Sequence, residues 1–245
     1  MKNQKDSHSK YGANCRLSTP DLVSSEGEKS IFGQSGGGYV DKVLVKVGLK
    51  EYEAPIDWTL ESWRSSLEAM NIDADVVFFG DSITRGGAWA DAFQDVNIVN
   101  LGLSGDSIRD MVSRVDMIAS VKPEKVFILG GINSLTDHNS TEILKQYKDM
   151  LKKVQEKVPD AKIYVQSILP ISVEKEKDCA DNTVINAFNK ELEKLAAETG
   201  VTYINIYDLY KLDDSMNPDL TKDGIHLKPE AYELWYKAIE GYVYE

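Results

Sequence analysis

The chain has 245 residues, enough to bury a substantial core in one large α/β domain with an extension, or in two small domains. Hydrophobic residues make up 42% and charged residues 28%, which is typical of a soluble globular protein. The 40 acidic residues outnumber the 28 basic ones, and a formal net charge of -12 would repel phosphate backbones and anionic membrane surfaces, so nucleic acid is not expected as a partner.

The sequence gives no signal for a membrane span or a cysteine-based site. No apolar run approaches the ~20 residues that cross a bilayer, and the first residues lack the apolar core of a signal peptide. We therefore expect a soluble protein, cytoplasmic as given, or secreted if a signal peptide has been removed. Cys15 and Cys179 show no metal-binding spacing and are expected to be unpaired thiols.

Residues 1–54 differ in composition from the rest of the chain. They are rich in Ser, Lys, Glu and Gly and show no helical periodicity, which predicts a polar N-terminal extension that is flexible at its start. Residues 39–47 have strand character, so part of the extension is expected to dock on the main domain. The main domain then covers 55–245.

The main domain alternates short apolar runs with helical patterns. A helix is predicted over 58–70, and strands, each rich in Val, Ile, Phe or Tyr, over 75–79, 97–101, 125–129, 162–169 and 202–207. The clearest later helices are 141–158, 182–199 with Gly200 as its cap, and one beginning near Pro229. Five strands, each returned by a helix, predict right-handed crossovers and a parallel sheet covered on both faces.

Small and polar residues follow the predicted strands. In a doubly wound sheet, the residues just past the carboxyl ends of the strands meet in one crevice. Gly-Asp-Ser-Ile-Thr follows the first strand at 80–84, Gly-Leu-Ser-Gly-Asp-Ser the second at 102–107 and Gly-Gly-Ile-Asn-Ser the third at 130–134, while Asp-Gly-Ile-His at 223–226 precedes the last helix. We expect these four loops to share one edge of the sheet.

Serine, histidine and aspartate in these loops are the components of an activated hydroxyl nucleophile. A serine needs a histidine to accept its proton during attack, and a carboxylate to orient that histidine. Of the three histidines, His8 lies in the extension and His138 at a solvated helix start, which leaves His226 as the base. Asp223 lies three residues earlier on the same turn, so we predict Ser82, His226 and Asp223 as nucleophile, base and orienting residue.

The other loops provide donors for negative charge that develops during an acyl transfer. A glycine amide approaches a ligand without a side chain in the way, and an asparagine amide donates a second bond. We predict an oxyanion hole made of the Ser82 and Gly105 amides and the Asn133 side chain. Loss of one such donor typically costs about 2.7 to 4 kcal/mol of transition-state stabilisation.

Each of these residues also has an ordinary structural interpretation, which is the commoner one when it is taken singly. Gly-Asp-Ser after a strand often forms a turn and helix cap, Gly105 can permit a left-handed turn, and Asn133 can cap its own turn. Four such pieces in order at the expected loops favour a functional site. Trp89 is a candidate for stacking on a sugar, although core packing is its expected role.

The four blocks resemble those of the SGNH hydrolases, also called GDSL-type esterases and lipases. Gly-Asp-Ser-Ile at 80–83, Ser-Gly-Asp at 104–106, Gly-Ile-Asn at 131–133 and Asp-Gly-Ile-His at 223–226 match, within a resemblance over about 58–245. Stretches at 83–87, 122–123, 166–170 and 226–227 are similar to bacterial acetylhydrolases related to platelet-activating-factor acetylhydrolase and to carbohydrate O-acetylesterases. One departure is Ser134, where many members carry Asp or Asn.

The resemblance implies a fold and an activity. The fold would be a flavodoxin-like three-layer α/β/α sandwich with a five-stranded parallel sheet of order 2-1-3-4-5. The site would be shallow and open, without metal or organic cofactor, and the Gly-x-Ser-x-Gly elbow of α/β-hydrolases is absent. The activity would be hydrolysis of short acyl esters, acetyl foremost, on a small molecule or oligosaccharide.

Three alternatives stay open at this point. A lysophospholipase or thioesterase for longer acyl chains needs an extended apolar groove, and the sequence shows no amphipathic lid. A non-catalytic module that binds carbohydrate or a partner protein predicts a broken set of site residues. A flavin or phosphate binder is disfavoured because the loop at 80–84 lacks the lysine and the glycine spacing of a phosphate-binding loop.

Overall fold

The computed structural model describes residues 56–136, 138–172 and 180–245. The predicted extension at 1–54, the strand character at 39–47 and both cysteines lie outside these ranges. By compactness, the described residues from 67 onwards form one unit, and residues 56–66 fall in another. The division of the chain at residue 55 stays a prediction.

A five-stranded parallel sheet forms the centre of the larger unit. Its strands are β1 (Val76–Gly80), β2 (Ile98–Gly102), β3 (Lys125–Leu129), β4 (Lys162–Gln166) and β5 (Thr202–Ile204). Their order is β2-β1-β3-β4-β5, and every neighbouring pair is parallel. The predicted fold class and strand order are confirmed. The order reverses beside β1, and ligands of such sheets bind outside the carboxyl ends of the strands at this point.

Helices lie before, between and after the strands. They are α1 (Ile56–Met70), α2 (Ser82–Arg85), α3 (Trp89–Ala92), α4 (Ile108–Ser113), α5 (Asp116–Ala119), α6 (Ser140–Lys157), α7 (Asn182–Thr199) and α8 (Tyr232–Tyr244). A hairpin of β6 (Lys211–Leu212) and β7 (Ser215–Met216) was not expected from the sequence. Two-residue strands are too short for a periodic pattern to show.

Local sequence sets the bounds of the long helices. The Asp181 side chain accepts a hydrogen bond from the Val184 amide at 2.9 Å and starts helix α7. Gly200 ends it with φ of +72°, a left-handed conformation that glycine adopts without strain. Pro229 opens a 3₁₀ turn that leads into α8, close to the predicted start.

Two predicted strands end earlier than their apolar runs. Strand β4 stops at Gln166. The Ser167 amide still bonds to the Ile204 carbonyl of β5 at 3.1 Å, but the amide after it donates to a side chain. The Ser167 hydroxyl accepts the amides of Ile206 and Tyr207 at 2.9 and 2.8 Å, which also ends β5. Asn189 closes the same region by accepting the Ile168 amide at 2.9 Å. In both segments the apolar residues therefore continue beyond the last residue of the strand.

The core lies where β1 and β3 meet the aromatic side chains of α3 and α8. Residues 76–79 of β1 are fully buried, at 0% exposure. Phe78 stacks on Trp89 with ring centroids 3.9 Å apart and on Phe127 at 5.1 Å. Trp89 is 1% exposed, so its expected role in core packing is confirmed. Burial of one such side chain stabilises the fold by about 1.5–3 kcal/mol.

Candidate active site

Ser82 is the first residue of helix α2 and lies directly past the carboxyl end of β1. The Asp81 side chain caps this helix, because its Oδ1 accepts the Ile83 amide at 2.9 Å. A Cβ at Gly80 would clash with the carbonyl oxygen of Leu129 in β3, so only glycine fits this tight step from strand to helix. The Gly-Asp-Ser sequence is thus both a turn and a helix cap, and it presents the serine at the sheet edge.

Two aromatic side chains hold the backbone of helix α2 from outside. The Tyr232 hydroxyl donates to the Ile83 carbonyl at 2.7 Å, and the Trp89 indole donates to the Thr84 carbonyl at 2.8 Å. The Ile83 carbonyl lies at the end of a short helix, where carbonyls lack intrahelical partners, whereas the Thr84 carbonyl also accepts the Gly87 amide at 3.3 Å. The bonds tie the turn that carries Ser82 to the aromatic core.

Ser82, His226 and Asp223 form one continuous chain of hydrogen bonds. Ser82 Oγ and His226 Nε2 are 2.8 Å apart, and His226 Nδ1 lies 2.7 Å from Asp223 Oδ2. The structure therefore brings together the three residues that the sequence predicts as nucleophile, base and orienting residue. The side chains of His226 and Asp223 are 28% and 35% exposed, so this chain of bonds opens to solvent.

The loop that carries His226 and Asp223 is closed by its own hydrogen bonds. The Thr221 hydroxyl donates to the His226 carbonyl at 2.8 Å and accepts the Gly224 amide at 2.9 Å, and Thr221 pairs with Leu227 in an isolated antiparallel bridge. The Gly224 carbonyl accepts the Ser172 amide at 2.8 Å, which attaches the loop to the segment after β4. The imidazole is therefore presented by a fixed loop.

The environment of Asp223 favours its charged form. Partial burial raises the pKa of this carboxyl, but hydrogen bonds from the His226 and Ile225 amides and from the His226 side chain outweigh burial and hold the pKa below 3.8. Asp223 is thus a carboxylate at neutral pH. A carboxylate accepts the Nδ1 proton of His226, and this tautomer leaves Nε2 free to accept the Ser82 proton.

Gly105 and Asn133, the other predicted site residues, lie on adjoining loops that meet at Asp106. Asn133 Nδ2 donates to the Asp106 carbonyl at 3.0 Å, and its second amide hydrogen is left for a ligand. Ser134, where many family members carry Asp or Asn, also joins these two loops, because its hydroxyl accepts the Ile108 amide at 2.8 Å. Gly105 has φ of +80°, the left-handed conformation that favours glycine.

Arg114, which the sequence did not single out, lies beneath these loops. Its Nε is 2.5 Å from Asp106 Oδ2, Nη1 donates to the Leu101 carbonyl at 2.7 Å and Nη2 to the Gly80 carbonyl at 2.8 Å. The guanidinium also lies 4.3 Å from the ring centroid of Phe79. Burial raises the pKa of Asp106, and the charge and hydrogen bond of Arg114 oppose that shift. An arginine at the end of a short helix carries no sequence signal for such contacts.

Asp81 is a second residue whose environment the sequence does not reveal. It is 0% exposed, and its Oδ2 has no hydrogen-bond partner in the part of the chain that the structure describes. Burial raises the pKa of Asp81 to about 7, although the Ile83 amide bond opposes this effect. The residue next to the predicted nucleophile is therefore a carboxyl group that holds its proton far more strongly than an exposed aspartic acid.

The described ranges contain neither a metal-binding cluster nor a membrane-spanning helix. Within them, no group of three or more His, Cys, Asp or Glu side chains is arranged to hold a metal ion. Over the same ranges, no helix combines the length and the apolar character needed to cross a membrane.

Comparisons with known proteins extend the likeness noted in the four blocks. Human platelet-activating factor acetylhydrolase IB subunit alpha2 is 25% identical to the chain over 119 residues, and the bovine alpha1 subunit is 24% identical over 119 residues. These matches cover 46% of the chain and 52% and 51% of the two relatives. The chain thus spans about half the length of the curated relatives it matches.

Solved structures share the fold. A GDSL-like lipase from Bacteroides thetaiotaomicron is 21% identical with a TM-score of 0.65, covering 76% of this chain and 97% of its own. An acetyl xylan esterase, AlAXEase, is 22% identical with a TM-score of 0.58, covering 69% of this chain and 98% of its own. At these identities the likeness is one of fold.

A family model decides the class of protein. The model of the GDSL-like lipase/acylhydrolase family matches residues 78–234, more than half of the chain, and contains the blocks that end β1, β2 and β3 together with the loop of His226. Members of this family are carboxylic ester hydrolases, so the predicted class of enzyme is confirmed at the level of the family. The chain belongs to the GDSL-like lipase/acylhydrolase family.

Proposed function

We propose that this chain is a serine esterase that removes short acyl groups, acetyl foremost, from a hydroxyl-bearing substrate such as a sugar. The observation that carries the proposal is the chain of hydrogen bonds from Ser82 through His226 to Asp223, with lengths of 2.8 and 2.7 Å. Nucleophile and base within this distance, with the base oriented by a third group, are the geometry of an activated hydroxyl.

The reaction would follow from the direction of these bonds. As Ser82 Oγ attacks the ester carbonyl carbon, its proton moves to His226 Nε2, and Asp223 stabilises the imidazolium that forms. The tetrahedral intermediate then collapses, His226 returns the proton to the leaving alcohol oxygen, and the acyl group stays on Ser82. A water molecule, deprotonated by the same histidine, then attacks the acyl-serine. As the acyl–oxygen bond breaks, His226 returns this proton to Ser82 Oγ, and the carboxylic acid is released.

Three groups can donate hydrogen bonds to the tetrahedral oxyanion. Ser82 is the first residue of its helix, where a backbone N–H has no intrahelical acceptor. Neither this amide nor that of Gly105 donates to a backbone carbonyl in the described ranges, and Asn133 has one spare amide hydrogen. We assign the oxyanion hole to these three donors, which are most effective when they are already in place before reaction.

Two observations support a short acyl group on a large acceptor. The names of similar proteins, a platelet-activating factor acetylhydrolase subunit and an acetyl xylan esterase, both denote removal of acetyl groups. His226 and Asp223 are also partly exposed, so a bulky alcohol can approach the base from solvent. The alternative is an esterase for longer acyl chains, and a series of substrates with increasing acyl length distinguishes the two.

Hydrolysis of nitrophenyl esters tests the proposal. We expect kcat/KM to be highest for the acetyl ester and to fall with acyl chain length. Ser82→Ala should lower the rate by about 10⁴-fold or more, because the nucleophile is lost. Ser66→Ala, which removes an exposed hydroxyl bonded to the Ser62 carbonyl, is the matched control and should keep the wild-type rate. Full activity of Ser82→Ala would contradict the assignment, and a preference for long chains would contradict the substrate class.

A further inference from the structure

Gly105, one of the three assigned oxyanion donors, is not held by packing. A Cβ built at this residue would meet no atom within 4 Å, and the glycine is exposed. Its amide direction must therefore come from the hydrogen bonds of its neighbours. Leu103 donates to the Gly80 carbonyl at 2.9 Å, and the Asp106 amide makes a long 3.4 Å bond to the Leu103 carbonyl, which closes the turn only weakly.

Asp106 accepts two shorter hydrogen bonds, one at its backbone carbonyl and one at its carboxylate. Its carbonyl accepts the Asn133 side chain at 3.0 Å, while its carboxylate accepts Arg114 Nε at 2.5 Å. One residue thus connects the loop of Gly105, the loop of Asn133 and the helix junction at Arg114. A shift of Asp106 would move both oxyanion donors that do not belong to the nucleophile.

Arg114 fixes Asp106 to the ends of two strands. Its remaining bonds go to the Gly80 carbonyl of β1 and the Leu101 carbonyl of β2, at 2.8 and 2.7 Å. Gly80 is two residues before Ser82, so the same guanidinium contacts the backbone that leads into the nucleophile. Because the guanidinium is planar and rigid, its donors hold these three acceptors in a fixed mutual geometry.

Stability alone is a weak explanation for this ion pair. The side chains of Arg114 and Asp106 are 3% and 13% exposed, so both charges are removed from water. The cost of desolvating such a pair is often as large as the attraction it gains, and apolar side chains of similar volume stabilise a fold equally well. The pair has instead a geometric consequence, since it joins the three loops of the proposed oxyanion hole.

We propose that Arg114 is a positioning residue for the reaction, which acts through Asp106 to hold the Gly105 amide and the Asn133 side chain in register with Ser82. This inference rests on the proposed esterase function. It predicts that the Arg114–Asp106 pair stabilises the transition state, in which the oxyanion forms. The pair should contribute little to the binding of the ground-state ester.

Two variants separate this role from a general loss of structure. Arg114→Lys keeps a positive charge but has a single ammonium, which cannot reach three acceptors in a fixed plane. Asp106→Asn keeps the backbone carbonyl that binds Asn133 and an oxygen that can accept Arg114 Nε, but it removes the charge. Arg109→Gln, an exposed arginine of the same helix α4, is the matched control.

The measurement is the pair kcat and KM for nitrophenyl acetate, with folding of each variant checked by circular dichroism. We expect kcat of Arg114→Lys to fall by roughly 10²-fold, the loss typical of a displacement near 1 Å, with KM little changed. Asp106→Asn should show a smaller fall of the same kind.

The positioning role is contradicted if both variants fold and keep the wild-type kcat, if KM rises in place of the fall in kcat, or if Arg109→Gln loses as much. If Arg114→Lys does not fold, the kcat of Asp106→Asn decides. Ser82→Ala in the same assay separates the two proposals. Activity that depends on Ser82 but not on Arg114 or Asp106 refutes only the positioning role, whereas activity independent of Ser82 refutes the esterase function and this inference with it.

Discussion

Ser82, His226 and Asp223 are separated by up to 144 residues in the sequence, and the structure brings them into one hydrogen-bonded chain. Their grouping could be predicted because each follows a strand or precedes the last helix, and because only three histidines were available for the role of base. The contacts depend on short loops whose residue types, Thr, Gly and Asp, are readable as turn formers.

Asp81 and Arg114 could not be predicted, although both lie within a few ångströms of residues that were. Their properties come from burial and from backbone carbonyls of other elements, and a sequence pattern records neither. An aspartate before a serine reads as a helix cap, which is correct for its Oδ1. Its complete burial and raised pKa follow only from the packing around it.

Asp81 makes the stability of the fold depend on pH. Its folded pKa is about 7, against 3.8 for the ordinary group. Below the ordinary value the carboxyl is protonated in both states; between the two values only the unfolded chain loses the proton, so stability falls as pH rises. Above the folded pKa the loss is complete. The difference between the two pKa values corresponds to a loss of roughly 4 kcal/mol in the free energy of unfolding.

We therefore predict that Asp81→Asn, which is neutral at every pH, gains stability relative to the wild type as pH rises from about 4.5 to 8. Urea unfolding of both proteins across this range measures the difference. Asp160→Asn, the same substitution at an exposed position, is the matched control. A stability difference for Asp81→Asn that is constant with pH would show that Asp81 is not a protonated group in the folded protein.

The element that carries the nucleophile, helix α2, lies directly on the end of strand β2. The Asn100 side chain donates to the Thr84 and Arg85 carbonyls at 3.4 and 3.3 Å. A Cβ at Gly102 would clash with the backbone nitrogen and Cα of Arg85. Strand and helix backbones approach this closely only because residue 102 has no side chain.

Gly102→Ala should consequently displace the helix that begins with Ser82. We expect a loss of roughly 1–3 kcal/mol in stability, as for other overpacked sites, and a fall in kcat of up to roughly 10²-fold. Gly241→Ala in helix α8 is the matched substitution, since a Cβ there meets nothing within 4 Å, and it should stabilise the fold by up to about 1 kcal/mol. Thermal unfolding and ester hydrolysis of both variants give the comparison, and equal behaviour of the two would contradict it.

The elements with the strongest hydrophobic patterns were the most predictable. The bounds of β3 and α7 match the prediction, and α6 is shifted by one residue at each end, because long amphipathic patterns and fully apolar runs leave little choice. The four-residue helices α2, α3 and α5 and the hairpin β6–β7 are too short to show periodicity. For α2 this matters most, since its first residue is the assigned nucleophile.

At the scale of the whole molecule, the strand order explains why the blocks that follow β1, β2 and β3 adjoin one another. β1 lies between β2 and β3, so the loops of Gly105 and Asn133 flank the turn of Ser82 on either side. The alternation of strands and helices predicted a parallel sheet, and the family resemblance supplied its order. The whole chain carries a net charge of -12, which would repel a polyanion, so the charge agrees with a substrate that is not a polyanion.

The most direct test of the central claim, that Ser82 is the activated nucleophile, is covalent labelling by a fluorophosphonate followed by mass spectrometry of the intact and digested protein. We predict one adduct per chain, on Ser82, none in Ser82→Ala, and a much slower reaction in His226→Ala, which lacks the base. An adduct on another residue, or equal labelling of Ser82→Ala, would contradict the account.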